Sequence, residues 1–176
     1  MLFQDPIIAP HNKHIDLTIN QQNQLPNFSI GRASYGEQLH LWDKKTGKLT
    51  DFTTDFSFVI NPSKDNPNRG RGDGLAFFLT NISNSDISNS IAGGGLGLFN
   101  YSPHTSFSNS IVVVEFDTWK NDWDPDDNHI GININSIVFV KNVTCNTIIK
   151  KATGKASARV TYNSSSKLLS VFLTYD

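Results

Sequence analysis

Two apolar runs that flank a short acidic loop constrain the fold of this chain more than any other feature. Residues 111–114 are β-branched and lead into Glu115 and Asp117, and alternation resumes at 129–134 after Pro125. On a strand, residues two apart point to the same face, so Glu115 and Asp117 face one side and their apolar neighbours the other. The pattern predicts two strands joined by a loop, with His129 returning beside Glu115 and Asp117 where the strands pair.

The loop between these runs is strongly acidic. Six acids and one base, Lys120, lie within residues 115–127, a local charge of −5 against −1 for the whole chain: Glu115, Asp117, Asp122, Asp124, Asp126 and Asp127. At an effective dielectric constant near 20, two carboxylates about 4 Å apart repel by roughly 4 kcal/mol. Ionised groups in an apolar strand are costly unless they are paired or bound to metal. The segment therefore predicts a bound cation.

The types of residue narrow the choice of ion. One imidazole among carboxylates, with Asn121 and backbone carbonyls nearby, favours Mn²⁺ beside Ca²⁺ over tetrahedral Zn²⁺. An EF-hand that starts at Asp117 or Asp122 is excluded, because its sixth position is Asp rather than Gly and its twelfth is Asn rather than Glu. A solvated acidic loop is the alternative reading. The glycines at 93–97 do not form a P-loop, because no Lys-Ser/Thr pair follows.

The rest of the chain predicts an all-β fold. Strand-like runs of four to eight residues alternate with clusters of Asn, Ser, Gly and Pro, and no window of twelve has a helical period. Residues 44–47 predict a tight turn, and four apolar side chains predict a core face on the next strand: Phe52, Phe56, Phe58 and Ile60. Residues 61–71 predict a loop. Residues 167–176 alternate on both faces and are predicted to be buried.

Composition limits the classes of function. With 176 residues and 38% hydrophobic content, one domain is expected. A net charge of −1 gives no footprint for nucleic acid or an anionic membrane, and we expect no secretion signal or membrane anchor in the chain. The single cysteine, Cys145, excludes an internal disulfide. Five sequons for N-glycosylation carry little weight alone: Asn27, Asn81, Asn100, Asn142 and Asn163.

Several motifs resemble one known family. The segment VEFDTWKNDWDPDDNHIGININSI resembles the metal-binding signature of the legume lectins, and GDGLAFFL at 72–79 and GGGLGLF at 93–99 precede it in the family's order. Residues 31–35, 41–58 and 162–175 look most like the lectin ectodomains of plant receptor-like kinases. The resemblance covers nearly the whole chain. It implies an antiparallel β-sandwich, a concanavalin-like jelly roll, with residues 1–176 forming one partial carbohydrate-binding domain.

The resemblance also implies a set of site residues. The implied ligands of Mn²⁺ are Glu115, Asp117, Asp124 and His129. The implied ligands of Ca²⁺ are Asp117, the carbonyl of Trp119, Asn121 and Asp124. The implied carbohydrate-binding residues are Asp73, Gly94, Trp119 and Asn121. In this family Asp73 would follow a cis peptide bond from Gly72 and accept hydrogen bonds from sugar hydroxyls, while the amide of Gly94 donates one and the Trp119 ring stacks on the pyranose.

The function implied is metal-dependent carbohydrate binding without catalysis. Its partners would be glycans or glycoproteins, at the cell surface or outside the cell, with a homodimer or a tethered kinase possible in a longer form. Legume lectins continue with further strands and a fourth sugar-contacting loop, so we expect a fragment or a chain that needs a partner. Cys145 stands where the family usually has Trp.

Two other functions remain alternatives. Some β-sandwich glycoside hydrolases carry E-x-D-x-E on one strand, but here the pattern is Glu115, Asp117, Trp119, so the second catalytic Glu is absent. A lectin-like defence or interaction protein that has lost sugar binding is the other alternative. The missing loop favours it, and the intact Asp73, Gly94 and Asn121 oppose it.

Overall fold

A computed structural model of the chain describes residues 7–8, 14–18, 29–60, 72–81, 92–99, 110–145 and 154–175. The loop predicted at 61–71 and the sequons at Asn27 and Asn100 lie outside the described residues. Within them the fold is built from short strands and one 3₁₀ turn at Gly93–Gly95. The strands are β1 Ile7–Ile8, β2 Ile15–Asp16, β3 Phe52–Phe58, β4 Gly74–Thr80, β5 Ile111–Asp117, β6 His129–Ile134, β7 Phe139–Thr144, β8 Ala156–Asn163 and β9 Leu168–Tyr175.

All strand pairing is antiparallel, which confirms the all-β prediction. β1 pairs with β2, a three-stranded sheet has the order β3-β8-β9, and a four-stranded sheet has the order β4-β5-β6-β7. The chain divides into two compact units, Met1–Ala33 with Ile60–Lys150 and Ser34–Val59 with Lys151–Asp176. Within the described residues no helix is long and apolar enough to cross a membrane.

The four-stranded sheet holds the acidic segment and a hydrophobic core on one face. Val113 and Ile111 belong to a buried cluster that lies on the same face of β5 as Glu115 and Asp117, two and four residues further on. The cluster consists of Leu98, Phe99, Ile111, Val113 and Ile137, with Ala76, Phe78 and Trp123 packed against it. Fully burying a side chain such as Phe99 or Val113 contributes roughly 1.5–3 kcal/mol. The acids thus extend from the end of a well-packed core.

The three-stranded sheet alternates between buried and exposed side chains. Phe58, Ala156, Ala158 and Val160 are buried, as the period of two predicts for one face. On the opposite face Arg159 Nε donates to Asp55 Oδ1 at 2.7 Å, and both side chains are exposed. The prediction that β9 is buried on both faces is wrong, because Leu168 and Phe172 are 58% and 66% exposed.

The turn predicted at 44–47 is confirmed. The carboxylate of Asp43 accepts from the backbone N–H groups of Lys45 and Thr46 at 2.9 and 2.7 Å. Gly47 has a φ of +67°, a value that glycine adopts without steric cost. Trp42 and Leu49 then form an isolated antiparallel bridge. By accepting these bonds Asp43 stabilises the turn, which ends one extended segment and begins the next.

Candidate functional site

The pairing of β5 with β6 brings the acids and the imidazole together as predicted. Asp117 lies opposite His129, and Glu115 lies opposite Gly131. All three polar side chains are buried, with 4%, 2% and 0% exposure for Glu115, Asp117 and His129. A side chain on Gly131 would overlap the Glu115 carboxylate, so glycine at this position leaves room for Glu115 to lie across β6.

Three of the four predicted Mn²⁺ ligands share one centre. His129 Nε2 lies 3.4 Å from Glu115 Oε1 and 3.7 Å from Asp124 Oδ1. One ligand atom from each of the three residues lies within 4.8 Å of the others. Asp117 lies on the same face of the sheet but is not one of this group, and its Oδ1 accepts from the Trp119 N–H at 2.6 Å.

A backbone carbonyl determines which nitrogen of His129 faces the acids. His129 Nδ1 lies 3.0 Å from the carbonyl oxygen of Asp126. Because a carbonyl can only accept, Nδ1 carries a proton and Nε2 is the nitrogen that faces Glu115 and Asp124; when the ring is neutral, Nε2 offers them only a lone pair. Imidazoles that bind metals commonly donate their other N–H in this way. With the ring neutral, Nε2 and the two carboxylates are three acceptor groups that converge on one point, which is chemically suited to a cation.

The electrostatics of the centre reflect the same crowding. The pKa of Asp117 is raised to about 8, mainly by burial and also by the charges of Asp124 and Glu115, although the Trp119 N–H and His129 lower it. Burial also raises the pKa of Asp124. Burial by itself would lower the pKa of His129, but its hydrogen bond to Glu115 and the neighbouring carboxylates outweigh burial, so the pKa is raised. A divalent ion would relieve this cost by stabilising the ionised acids.

The loop after β5 offers further oxygen ligands. The Asn121 N–H donates to Asp124 Oδ2 at 2.6 Å, and the Asp124 N–H donates to the Asn121 carbonyl at 3.1 Å. The Asn121 side-chain oxygen Oδ1 is buried and has no hydrogen-bond partner among the described residues. A buried carbonyl-type oxygen without a donor costs free energy unless a ligand satisfies it, and amide oxygens are ordinary Ca²⁺ ligands. These residues fit a second, oxygen-coordinated ion.

Two of the four residues predicted to bind sugar, Trp119 and Asn121, belong to this loop, and Asp73 and Gly94 lie beside it. A Cβ on Gly94 would lie 2.6–2.7 Å from the side-chain amide atoms of Asn121, so the glycine backbone lies directly against that amide. A Cβ on Gly72 would lie 3.4–3.6 Å from Trp119, which is 45% exposed. The structure thus brings Gly94 to Asn121 and the residue before Asp73 to the Trp119 ring.

Asp73 is anchored to the end of β5. The Gly72–Asp73 peptide bond is cis, as predicted. The Asp73 carbonyl accepts from the Thr118 N–H at 2.8 Å and from Thr118 Oγ1 at 3.1 Å. Burial raises the pKa of the half-buried Asp73 carboxyl, and its charge contributes to the raised pKa of Asp124. The Asp73 carboxylate is thus close enough to the ion centre to interact with it.

Sequence reasoning missed the residues that support these groups. Thr118 holds Asp73, Gly131 makes room for Glu115, and Asp126 orients His129. The glycine was detectable, since a glycine inside a strand indicates close approach of another group. Thr118 and Asp126 gave no signal, because their roles depend on contacts across the fold.

A comparison with known protein families identifies the family to which this chain belongs. The legume lectin domain matches residues 2–176 of the sequence. The chain belongs to the legume lectin family. This confirms the resemblance on which the site residues were predicted.

Relatives of this legume lectin chain are plant lectins of known sequence. The 2-acetamido-2-deoxy-D-galactose-binding seed lectin 2 of Cytisus scoparius is 41% identical, over 99% of this chain and 68% of the relative. Anti-H(O) lectin 1 of Cytisophyllum sessilifolium is 43% identical, over 90% of this chain and 64% of the relative. Lectin 10 of Medicago truncatula is 41% identical, over 86% of this chain and 53% of the relative. The chain therefore spans between half and about two-thirds of these relatives.

Solved lectin structures match over most of the chain. Lectin I-B4 from Griffonia simplicifolia in its metal-free form has a TM-score of 0.78 at 39% identity, over 92% of this chain and 67% of that one. The lectin from Bauhinia forficata in complex with GalNAc has a TM-score of 0.75 at 34% identity, over 96% of this chain and 69% of that one. The fold class is therefore an antiparallel β-sandwich of the legume lectin type. The expected closeness to receptor-kinase ectodomains and the single domain over residues 1–176 stay predictions.

Proposed function

We propose that this legume lectin chain binds carbohydrate at a site formed by Asp73, Gly94, Trp119 and Asn121. The observation that carries the proposal is the contact between Gly94 and the Asn121 amide, whose Oδ1 is buried without a partner among the described residues. An amide that is held through its oxygen by an ion presents its NH₂ group as a fixed donor. Asp73 would accept from sugar hydroxyls, and the half-exposed Trp119 ring offers an apolar face for stacking.

We propose that two divalent ions keep these groups in position. Glu115, Asp117, Asp124 and His129 would hold Mn²⁺, and Asp117, the Trp119 carbonyl, Asn121 and Asp124 would hold Ca²⁺. When bound, the ions supply positive charge that stabilises the buried carboxylates and fixes the loop that carries Asn121. Groups that are fixed before the sugar arrives lose less conformational entropy on binding.

The proposed activity is binding without catalysis. The residue at the position of a second catalytic carboxylate is Trp119, two residues beyond the end of β5, and relatives in the family are lectins. We infer that glycans or glycoproteins are the partners, at the cell surface or outside the cell. A homodimer, and a tethered kinase in a longer form, are the protein partners we propose.

Calorimetric titration tests the proposal directly. A panel of GalNAc, galactose and fucose samples the sugars named for the family's members and structures. We expect binding of at least one sugar with a dissociation constant of about 1 mM, a free energy of roughly 4 kcal/mol. Prior removal of metal should abolish it, and adding back Ca²⁺ and Mn²⁺ should restore it.

Two variants locate the site. Asp73→Asn keeps the shape of the side chain but replaces one acceptor oxygen with a donor, so it should abolish sugar binding while the chain still takes up metal. Asp55→Asn removes an exposed carboxylate from the three-stranded sheet and serves as the control. Metal uptake without sugar binding in the parent chain would favour the lectin-like protein that has lost sugar binding, and turnover of a β-glucan would contradict the non-catalytic assignment.

A further inference from the structure

A group of hydrogen bonds fastens the loop before β6 to the end of β7. Asp126 Oδ2 accepts from Thr144 Oγ1 at 2.5 Å, and Asp126 Oδ1 accepts from the Asn128 N–H at 2.8 Å. Asn128 Nδ2 donates to the Cys145 carbonyl at 2.5 Å, and the Cys145 N–H donates to the Asn128 carbonyl at 2.8 Å. We call these four residues the loop clamp. Three of its four bonds join the loop to β7 or to the residue after it.

The loop clamp connects to the ion centre through one residue. The side chain of Asp126 belongs to the clamp, while its carbonyl accepts the hydrogen bond from His129 Nδ1 at 3.0 Å. His129 is fully buried, and the direction of its Nε2 depends on where that carbonyl lies. Thr144 also lies directly opposite His129 in the β6–β7 pairing. A shift of Asp126 would therefore turn the imidazole away from Glu115 and Asp124.

We propose that Asp126 is a positioning residue of the ion site, and that Thr144 acts through it. The side-chain bond from Thr144 fixes Asp126, the Asp126 carbonyl keeps the proton on Nδ1 of His129, and Nε2 is left to ligate the ion. The inference rests on the proposed function, since it assumes that His129 ligates a divalent ion. It gives a role to Asp126, one of the three acids of this segment that the proposed ligand sets leave unused. Partners of this kind change metal affinity by orienting the ligands rather than by touching the ion.

The pair of substitutions Thr144→Val and Thr144→Ser tests the bond with little change of shape. Valine keeps the branched side chain that suits a strand but removes the donor, and serine keeps the donor. Asp126→Ala removes the other partner, and Asp122→Ala removes the same charge from an exposed position of the same loop. The proteins should be produced without N-glycosylation, because Thr144 completes the sequon at Asn142.

The measurement is Mn²⁺ affinity, read from the electron paramagnetic resonance signal of free Mn²⁺ during titration. We expect Thr144→Val and Asp126→Ala to bind Mn²⁺ at least roughly tenfold more weakly, and Thr144→Ser and Asp122→Ala to stay within about twofold of the parent chain. A second reading is the solvent exchange of the His129 Nδ1 proton, followed by nuclear magnetic resonance in Cd²⁺-loaded protein. It should be faster in Thr144→Val than in the parent chain.

The outcomes separate this inference from the proposed function. A parent chain that takes up no Mn²⁺ overturns both. If Thr144→Val binds Mn²⁺ as tightly as the parent chain and its His129 Nδ1 proton exchanges at the same rate, the role of Asp126 is overturned. The proposed function then still stands. Thermal melting of each variant identifies a general loss of folding. If Asp126→Ala fails to fold, the comparison of Thr144→Val with Thr144→Ser decides the question.

Discussion

Asn121 shows how much of the proposed site depends on single atoms. Its backbone N–H is used by Asp124, its side-chain oxygen is buried without a partner among the described residues, and its amide lies against Gly94. The bond to Asp124 fixes the backbone of Asn121, and Gly94 limits where its amide can lie. The position of the amide is therefore sensitive to small changes at Gly94, which makes Gly94 a sharp test.

Substituting Gly94 with alanine should disable sugar binding. The new Cβ would lie 2.6 Å from Asn121 side-chain atoms, so the amide must move. Losing one hydrogen bond of about 1.4 kcal/mol weakens binding tenfold, and we expect at least that loss in calorimetric titration. Gly36→Ala is the matched control, because a Cβ there meets nothing within 4 Å. Equal affinities for the two variants would contradict the role of Gly94.

The buried carboxylates predict an unusual dependence on pH in the metal-free protein. The pKa of Asp117 is raised from 3.8 to about 8, so its burial favours the folded state when it is protonated, and this contribution is lost as pH rises from about 4 towards 8. A change of one pKa unit corresponds to about 1.4 kcal/mol, and about 1 kcal/mol changes Tm by about 2–4 °C. We expect the metal-free Tm to fall by more than about 4 °C between pH 5 and 8.

Two comparisons isolate this effect. Asp117→Asn removes the titrating group, so the fall in metal-free Tm should become smaller. Saturating Ca²⁺ and Mn²⁺ should reverse the trend, because ions bind the ionised carboxylates and bind more tightly as pH rises. A metal-free Tm that rises steadily over this range would contradict the assignment.

At the scale of elements, the β5–β6 pair was predictable and its supporting contacts were not. The two-residue period fixes which side chains share a face, so Glu115, Asp117 and His129 could be placed together from sequence alone. The contact of Gly94 with Asn121 and the bond from Thr144 to Asp126 join residues far apart in sequence. No local pattern encodes such contacts, and only the family resemblance indicated the first of them.

The error over β9 has a different cause. Its sequence is apolar at most positions, and periodicity distinguishes a half-exposed strand from a buried one only when polar residues alternate strictly. Leu168 and Phe172 occupy the face that Ser170 and Thr174 mark as exposed. Ser170 and Thr174 were therefore the signal in the sequence that one face of β9 is exposed.

Gly131 on β6 gives a prediction at this scale. A Cβ at this position would overlap Glu115 Oε1, so Gly131→Ala should move that carboxylate out of the ion centre. We expect Mn²⁺ affinity to fall at least about tenfold, measured by titration, with the sheet still formed by circular dichroism. Gly36→Ala again provides the control. Unchanged Mn²⁺ affinity in Gly131→Ala would exclude Glu115 as a ligand.

At the scale of the whole molecule, exposed apolar surface on the three-stranded sheet predicts association. Among the strands that the structure describes, β9 pairs with β8 alone. β9 carries no charged residue. Exposed edge strands usually do carry charges, which prevent pairing with another strand. Phe172 and Leu168 both lie on this edge strand and are mostly exposed. We therefore predict that the proposed homodimer forms through this surface.

Replacing Phe172 with serine should weaken that association. Burial of a phenylalanine contributes about 1.5–3 kcal/mol, so the dissociation constant of the dimer should rise at least about tenfold. Sedimentation velocity over a range of protein concentrations measures this, with Ser170→Thr, which keeps the same face polar, as the control. Identical sedimentation of Phe172→Ser and the parent chain would place the interface elsewhere.

The two ends of strand β5 are stabilised in different ways. Ile111 and Val113 are held by apolar packing, whereas the buried Glu115 and Asp117 would be stabilised by the ions proposed to bind there. Removing the ions with a chelator should therefore open β5 locally at its Asp117 end. Amide deuterium exchange should then be fast near Asp117 and slow near Ile111. The apolar end of β5 would thus stay protected in any buffer, and the acidic end would become protected only where divalent ions are plentiful.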